Sequence, residues 1–246
     1  MILRMEERSM NAWPSLQTLL YDGWVIRFSG GYTKRANSIC PIYSSGLDVE
    51  EKINYCEKLY TSNQLPVVYK LTKACNPADL DLILEKRGYR RIDETAVRIA
   101  QIDEENCYTN QFEVKAEYDF TREWVSTLIT CTSMSNADKI DVMKKMLSNI
   151  TGDRVCVRIN LADEPVACGF GVIEDGYMGI YDIVVNPSYR GRGYGRAIMQ
   201  ELLREARKKN IDKAYLSVVV GNTIAERLYD SLGFKEIYRY WYRVKQ

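Results

Sequence analysis

Apolar and polar residues alternate along the chain with two periods, one typical of strands and one typical of helices. Runs of β-branched and aromatic residues predict strands over 24–28, 35–43, 66–71 and 92–102. Apolar residues that recur at helical spacing predict helices over 5–20, 48–62 and 77–86. This succession of strands and helices predicts a mixed α/β fold.

The pattern lapses over residues 103–111 and then resumes. Helices are predicted over 119–132 and 136–149, and strands over 154–160 and 165–174. They are followed by a strand ending at Val185, an amphipathic helix, a strand over 213–220, a helix over 222–232 and a strand over 234–244. We place the domain boundary at the lapse, which gives one domain over 1–102 and a second over 107–246.

A glycine-rich loop joins the strand that ends at Val185 to the helix after it. The strand breaks at Asn186-Pro187, and the loop continues as Arg190-Gly191-Arg192-Gly193-Tyr194-Gly195. Glycines at alternate positions permit positive φ, and nothing projects from their Cα atoms. At a helix N-terminus such a loop directs unpaired N–H groups at an anion, which the helix dipole also favours. We interpret it as a pyrophosphate-binding loop, although its spacing fits neither the dinucleotide nor the Walker motif.

Composition narrows the classes of partner. The 246 residues are 46% hydrophobic and 27% charged, with a net charge of +1, so no global field attracts nucleic acid or an anionic membrane. No apolar run approaches the ~20 residues that span a bilayer. The first ten residues lack the apolar core of a signal peptide. We therefore expect a cytoplasmic protein with no nucleic-acid or membrane partner.

The chemistry open to the chain is limited by its reactive side chains. It contains no histidine, which excludes histidine-based triads and most zinc catalysis. The seven cysteines are scattered and never form a C-x-x-C pair, so we expect no disulfide framework and no metal site. Any general acid or base must be Asp, Glu, Tyr, Cys, Lys or water.

The loop and its flanks resemble the acetyl-CoA loop of the GNAT (GCN5-related) N-acetyltransferase superfamily. Its pattern is a strand, V-x-P, and then [RQ]-x-x-G-x-[GA] on a helix, which Val185, Pro187 and the loop match. The chain is similar to tandem members with a degenerate N-terminal half. The resemblance implies the acyl-CoA N-acyltransferase fold in two GNAT-like halves. It also implies acetyl-CoA as co-substrate and direct, sequential transfer of acetyl to a primary amine.

The same resemblance implies which residues bind the co-substrate. The main chain of the strand would pair with the pantetheine amides, the loop would hold the pyrophosphate, and an asparagine would lie near the cofactor. The implied residues are Ile183, Val184, Val185, Arg190, Gly191, Arg192, Gly193, Tyr194, Gly195, Arg196 and Asn222.

Tyr229 is the candidate catalytic acid. From Asn222 the chain reads NTIAERLYDSLGF, which resembles the family pattern N-x-x-A-x-x-x-Y-x-x-x-G-F. In that pattern the tyrosine hydroxyl protonates the departing thiolate. A phenol with a reference pKa of ~10 remains protonated at neutral pH and can donate to a thiolate whose conjugate acid has a pKa of ~8.5. Tyr229 also lies on an apolar helix stripe, and Asn222 is a plausible helix N-cap, so packing and capping roles stay open.

The general base is not assigned. Many relatives carry a glutamate on the cofactor strand or the next one, where this chain has Gly179 and Ser217. Glu174, Tyr181, Asp182 or a water relay remain candidates.

The two predicted domains resemble each other when one is offset by about 145 positions. LDLILEKRGYRRIDETAVR (80–98) then falls on AERLYDSLGFKEIYRYWYR (225–243). Opposite the glycine-rich loop, the first domain has SSGLDVE, whose carboxylates would repel a diphosphate. We therefore expect only the second domain to bind the cofactor.

The first domain carries one polar motif, GYTKRANS over 31–38. Arg35 or Asn37 could hold an anionic group of the acceptor, or the polar side chains could satisfy backbone groups in a turn, which we favour.

The nature of the acceptor stays open. A small amine is favoured by the neutral charge and by an extra domain that would restrict access to the site. A protein N-alpha or lysine acetyltransferase and a non-enzymatic coenzyme A sensor or interaction protein are the alternatives. We expect a monomer or a homodimer.

Overall fold

The computed structural model describes residues 1–103 and 112–245. The chain divides into two compact units, one of Met1–Ala96 with the residues from Tyr238 onward, and one of Val97–Ile237. The lapse at 103–111 lies, apart from Asp103, outside the described residues, as does Cys107. The domains 1–102 and 107–246 stay a prediction. The unit division differs from them at residues 97–102, which belong to the C-terminal unit, and at the end of the chain, where residues 240–245 pair within the N-terminal unit.

The N-terminal unit contains three helices and a sheet. Its elements are α1 (Ile2–Ala12), β1 (Gln17–Tyr21), β2 (Trp24–Phe28), β3 (Ile39–Pro41), α2 (Val49–Ser62), β4 (Val67–Thr72), α3 (Leu80–Lys86), the start of β5 (Arg90–Gln101) and most of β11 (Lys235–Lys245). The strand order in this unit is β1-β2-β3-β4-β11. Trp24, Ile39, Ile53 and Tyr69 are fully buried in its core.

Three predicted elements of this unit are shorter than expected. The helix predicted over 77–86 begins only at Leu80. The helix predicted over 5–20 ends at Ala12, and residues 17–21 form β1 instead, because Pro14 lacks the N–H group that a continuing helix needs. The strand predicted over 35–43 is reduced to β3. A short 3-10 turn, Lys34–Ala36, occupies its first residues and is capped by the Thr33 side chain.

The C-terminal unit is also a helix-covered sheet. Its elements are the end of β5, β6 (Lys115–Glu117), α4 (Arg122–Thr132), α5 (Ala137–Ser148), β7 (Asp153–Leu161), β8 (Glu164–Glu174), β9 (Tyr177–Val185), α6 (Tyr194–Lys208), β10 (Lys213–Val219), α7 (Thr223–Ser231) and the start of β11. The strand order is β5-β10-β9-β8-β7-β6. The strands β6 to β9 are antiparallel, and β10 is parallel to β9.

Opposite faces of β8 pack against different helices. On one face Phe170 meets Trp124 of α4 edge-on, with ring centroids 5.7 Å apart. On the other face Gly169 leaves room for α6, since a Cβ atom there would lie 2.9 Å from the Ile198 side chain. Burial of these apolar groups on both faces holds β9 and α6, and the loop between them, in a fixed relation.

Each unit contains an arginine bound to two carboxylates one helical turn apart. Arg243 binds Asp81, with an Nε–Oδ1 distance of 2.8 Å, and Glu85, with an Nη2–Oε1 distance of 3.1 Å. These contacts lie in the N-terminal unit. In the C-terminal unit Arg98 binds Asp230 at 2.6 Å. It also approaches Glu226, at 4.0 Å.

The two arginine clusters occupy positions related by the same offset of 145 residues. The helices that carry the carboxylates also end alike. Gly88 and Gly233 have φ of 82° and 84°, and the next N–H donates over 3.0 Å to the carbonyl of Leu84 or Tyr229. The two similar halves of the sequence are here called copies. Arg98 belongs to the N-terminal copy but lies in the C-terminal unit, and Arg243 belongs to the C-terminal copy but lies in the N-terminal unit. The copies therefore exchange the ends of their last strands, residues 97–101 of β5 and 238–245 of β11.

Candidate active site

The loop after β9 begins with an anchored asparagine. The Asn186 N–H donates to the Val166 carbonyl of β8 over 2.8 Å. The Asn186 side chain accepts a hydrogen bond from the Ser188 N–H at 3.1 Å, which starts a 3-10 turn, Pro187–Tyr189. These bonds fix the direction in which the chain leaves the strand.

The glycines of the loop have the predicted backbone conformation. Gly191 and Gly193 have φ of 75° and 90°, in the left-handed region that favours glycine. Around Gly191, no atom of the described residues lies within 4 Å of the place a Cβ would take. Gly193 is the N-cap of α6 and provides no side-chain cap. The backbone N–H groups of residues 191–196 donate to no atom in the described parts of the chain. These unpaired donors at a helix N-terminus form an anion-binding geometry.

The side chains of the loop surround these donors. Arg190 is exposed and bonds the Val185 carbonyl at 3.3 Å. The guanidinium of Arg192 lies 5.4 Å from the centre of the Tyr189 ring. Arg196 donates to Ser231 of α7 over 2.7 Å. These three arginines add positive charge at the loop, where a diphosphate would need it.

The tyrosine of the loop has a packing role. Tyr194 is buried, and its ring centre lies 4.5 Å from that of Phe112. Its side chain therefore anchors the start of α6 in the core.

One edge of β9 is open next to the loop. β9 pairs with β10 only through residues 177–179, whereas its pairing with β8 continues to Val185. The register with β8 shifts near Asp182, which has φ of 48°. Among the described residues, no strand pairs with the β10 side of residues 183–185, so this stretch can pair with an extended ligand.

Helix α7 brings Tyr229 to the same end of the unit. The Leu228 side chain lies 3.7 Å from the position of a Cβ on Gly195, in the first turn of α6. Tyr229 is half-buried and packs edge-on to Phe234, with ring centroids 6.1 Å apart. Its hydroxyl makes no hydrogen bond with any residue that the structure describes. Burial raises the pKa of Tyr229, so the phenol stays protonated at neutral pH.

Asn222 caps α7. Its side-chain oxygen accepts a hydrogen bond from the Ala225 N–H at 3.3 Å, and the residue is exposed. The structure thus shows the capping role that the sequence left open.

The candidate bases lie in different surroundings. Glu174 is at the far end of β8, opposite Tyr177 in the hairpin, and Asp182 lies at the register shift in β9. Tyr181 is buried, and its hydroxyl is 3.0 Å from that of Tyr215 on β10. Sequence reasoning missed Tyr215. It precedes Ser217 by two positions, so alternation along the strand places the two on one face.

A groove of about 780 Å³ lies between α4 and α5. Its lining includes Phe120, Val125, Ile129 and Leu147, with Arg122 and Lys144 at its margin. None of its lining residues belongs to the loop or to β9. The loop is therefore the candidate cofactor site on chemical grounds, even though it lies outside this groove.

Within 1–103 and 112–245, no helix combines the length and apolar character needed to cross a bilayer. No group of three or more Asp, Glu or Cys side chains in these ranges is placed to hold a metal ion.

Residues 116–234 match the model of the acetyltransferase (GNAT) family. This part of the chain is a GNAT acetyltransferase domain. The match covers β6 to α7, and so includes the loop, the open edge of β9 and Tyr229.

The chain is similar in sequence to two proteins named as N-acetyltransferases. The chain is 26% identical over 248 residues to a protein named "Uncharacterized N-acetyltransferase YobR" from Bacillus subtilis, covering 100% of this chain and 99% of that protein. It is also 39% identical over 57 residues to a [Ribosomal protein bS18]-alanine N-acetyltransferase from Escherichia coli. That match covers 23% of this chain and 38% of the relative.

Solved structures confirm the predicted GNAT fold. A GCN5-related N-acetyltransferase from Kribbella flavida superposes with a TM-score of 0.72 at 15% identity, covering 99% of this chain and 95% of that one. A tandem GNAT protein from the clavulanic acid biosynthesis pathway has a TM-score of 0.65 at 9% identity. It covers 80% of this chain and 69% of that one.

Proposed function

We propose that this acetyltransferase moves acetyl directly from acetyl-CoA to the primary amine of a small molecule. The observation that carries the proposal is the set of unpaired N–H groups at residues 191–196, beside the open edge of β9. The diphosphate of the co-substrate needs the N–H groups of the loop, and the pantetheine arm joined to it needs the adjacent strand edge.

The residues fit the co-substrate as follows. The N–H groups of the loop and the dipole of α6 would hold the pyrophosphate, and Arg190, Arg192 and Arg196 would add charge-assisted contacts. The main chain of Ile183, Val184 and Val185 would pair with the pantetheine amides. Acetyl-CoA supplies an activated acetyl thioester, and the chain must position it and move two protons.

Tyr229 is the proton donor in this proposal. Its hydroxyl has no other hydrogen-bond partner among the described residues, and burial keeps its pKa above the ordinary value. A thiolate leaving near it would receive the phenol proton.

Direct transfer is supported by the state of Cys168. Cys168 is fully buried in β8, and burial raises the pKa of its thiol well above the ordinary range. A protonated, inaccessible thiol is a poor nucleophile, so Cys168 does not carry the acetyl group in this proposal.

The protein α-amine is a second candidate acceptor, favoured by the ribosomal-protein relative. One assay distinguishes the two candidate acceptors. It follows acetyl-CoA consumption by detecting the released coenzyme A thiol with DTNB, first with a panel of small primary amines and then with peptides that have free N-termini. We expect turnover with a small amine. Turnover with peptides alone would reassign the acceptor, and binding of acetyl-CoA without any turnover would favour a coenzyme A sensor.

Gly193→Asp tests the loop. The new carboxylate would lie beside the phosphates, and a side chain at φ of 90° is strained, so we expect acetyl-CoA to bind at least about tenfold more weakly. Calorimetry with acetyl-CoA measures this. Gly176→Asp is the matched control, because Gly176 has φ of 75° and open space around it but lies in the β8–β9 hairpin. Equal affinities for the wild type and Gly193→Asp would contradict the assignment.

A further inference from the structure

Two buried tyrosines meet where β9 and β10 separate. The hydroxyls of Tyr181 and Tyr215 are 3.0 Å apart, and the residues are 6% and 3% exposed. Tyr215 is paired with Gly179 in the last paired position of the two strands. The hydroxyl pair therefore lies at the fork between the strands, beside the edge that we assign to the pantetheine arm.

The pair occupies the space of a missing side chain. A Cβ on Gly179 would lie 2.5 Å from the Tyr215 hydroxyl oxygen and 2.9 Å from the Tyr181 ring. No carboxylate could project from position 179 without displacing these rings. On this face of β9, the phenols of Tyr181 and Tyr215 thus fill the space beside Gly179, which has no side chain.

The surroundings of the pair are aromatic. The ring of Tyr181 stacks on Phe170 at 5.5 Å and 26°, and Phe170 meets Trp124 at 90°. A hydrogen bond between hydroxyls is stronger in such a low-dielectric setting than in water. The same setting disfavours a charged ammonium group and so favours its deprotonation.

We propose that the Tyr181–Tyr215 hydroxyl pair takes the proton from the acceptor amine. The inference rests on the proposed function. An N–H bond of the ammonium breaks, and its proton goes to the oxygen of the nearer phenol. The proton of that phenol crosses the 3.0 Å hydrogen bond to the second phenol, which releases its own proton to a water molecule. Both phenols end neutral, and the nitrogen retains the electron pair that forms the new bond to the acetyl carbon.

The relay predicts that more than one proton moves in the rate-limiting transition state. The dependence of kcat on the fraction of D₂O in the solvent measures this. With the best amine of the panel, the kcat of the wild type should fall along a bowed curve as D₂O replaces H₂O. Tyr215→Phe removes one link. We expect kcat to fall about 100-fold at neutral pH, the curve to become linear, and acetyl-CoA affinity to stay unchanged. Without the relay, activity must also keep rising at pH values where the wild type has levelled off.

Two further variants keep the test decisive. Tyr181→Phe should reproduce the effects of Tyr215→Phe, whereas Tyr177→Phe removes a hydroxyl from the same strand and should leave the curve bowed. Activity of Tyr215→Phe within twofold of the wild type, with an unchanged pH profile, would overturn the relay and leave the proposed function standing. Absence of turnover with every amine in the wild type would overturn the proposed function itself.

Discussion

Replacing Tyr229 with phenylalanine is expected to lower kcat about 1,000-fold and to leave the affinity for acetyl-CoA unchanged. The substitution removes a proton donor and keeps the ring that packs against Phe234, so the loss falls on catalysis. Steady-state kinetics with calorimetry separate the two effects. Tyr189→Phe, in the loop outside the core, is the matched control and should retain most of the activity. Turnover of Tyr229→Phe within threefold of the wild type would show that Tyr229 only packs.

The pKa of Tyr229 adds a pH dependence to this expectation. A tyrosine whose pKa is raised by burial keeps its proton to higher pH than a free phenol, whose pKa is ~10. The donor is therefore present throughout the neutral and mildly alkaline range and is lost only above the ordinary tyrosine value. A loss of kcat below that value must come from another group.

Replacing Lys70 with methionine is expected to destabilise the protein by about 3–5 kcal/mol. Lys70 and Glu6 form an ion pair with an Nζ–Oε2 distance of 2.6 Å, and both side chains are 2% exposed. Tyr238 donates a second hydrogen bond to Glu6 over 2.8 Å, and the Lys70 ammonium lies 4.1 Å from the Tyr240 ring centre. Without Lys70, the Glu6 carboxylate is a buried charge without its cation.

Urea unfolding of three variants tests this pair. Glu6→Gln/Lys70→Met removes both charges and should recover most of the lost stability. Lys34→Met breaks an ion pair with Asp93 whose side chains are 41% and 43% exposed, so it should change stability by under about 1 kcal/mol. A similarly small change for Lys70→Met would contradict the assigned role.

The local elements of the fold follow from periodicity where competing signals are absent. α2, predicted over 48–62, begins one residue later, because Asp48 caps it by accepting from the Glu50 and Glu51 N–H groups. The helix predicted over 5–20 is too long because apolar residues keep the helical spacing past Pro14. The backbone cannot continue as a helix there, since Pro14 has no N–H group to donate. β6, three residues long, was not predicted, because so short a strand shows no period.

The exchange of last strands could not be predicted from local pattern. Whether residues 240–245 pair with β4 or with a neighbour in their own copy depends on tertiary contacts such as those of Arg243 with Asp81. The repeat in the sequence pointed to two copies and could not indicate which copy each strand completes.

One part of the candidate site could likewise be predicted from local sequence, whereas another part depends on tertiary contacts. The loop is contiguous in sequence and its glycines require the conformation they adopt, so it could be read from the chain. The Tyr181–Tyr215 pair joins two strands whose register is set only by the folded sheet. In the GYTKRANS motif, Asn37 accepts a hydrogen bond from the Ser29 N–H at 2.8 Å, and Thr33 caps the 3-10 turn. These contacts match the turn network that we favoured.

The reciprocal arginine clusters bear on how the two similar halves of the chain came to be joined. A single ancestral copy with the same contacts would have given its final strand to another molecule and received one in return. Such a protein would be a strand-exchanged dimer, because each subunit would contribute to the sheet of the other. We infer that duplication and fusion of its gene converted an intermolecular exchange into an intramolecular one.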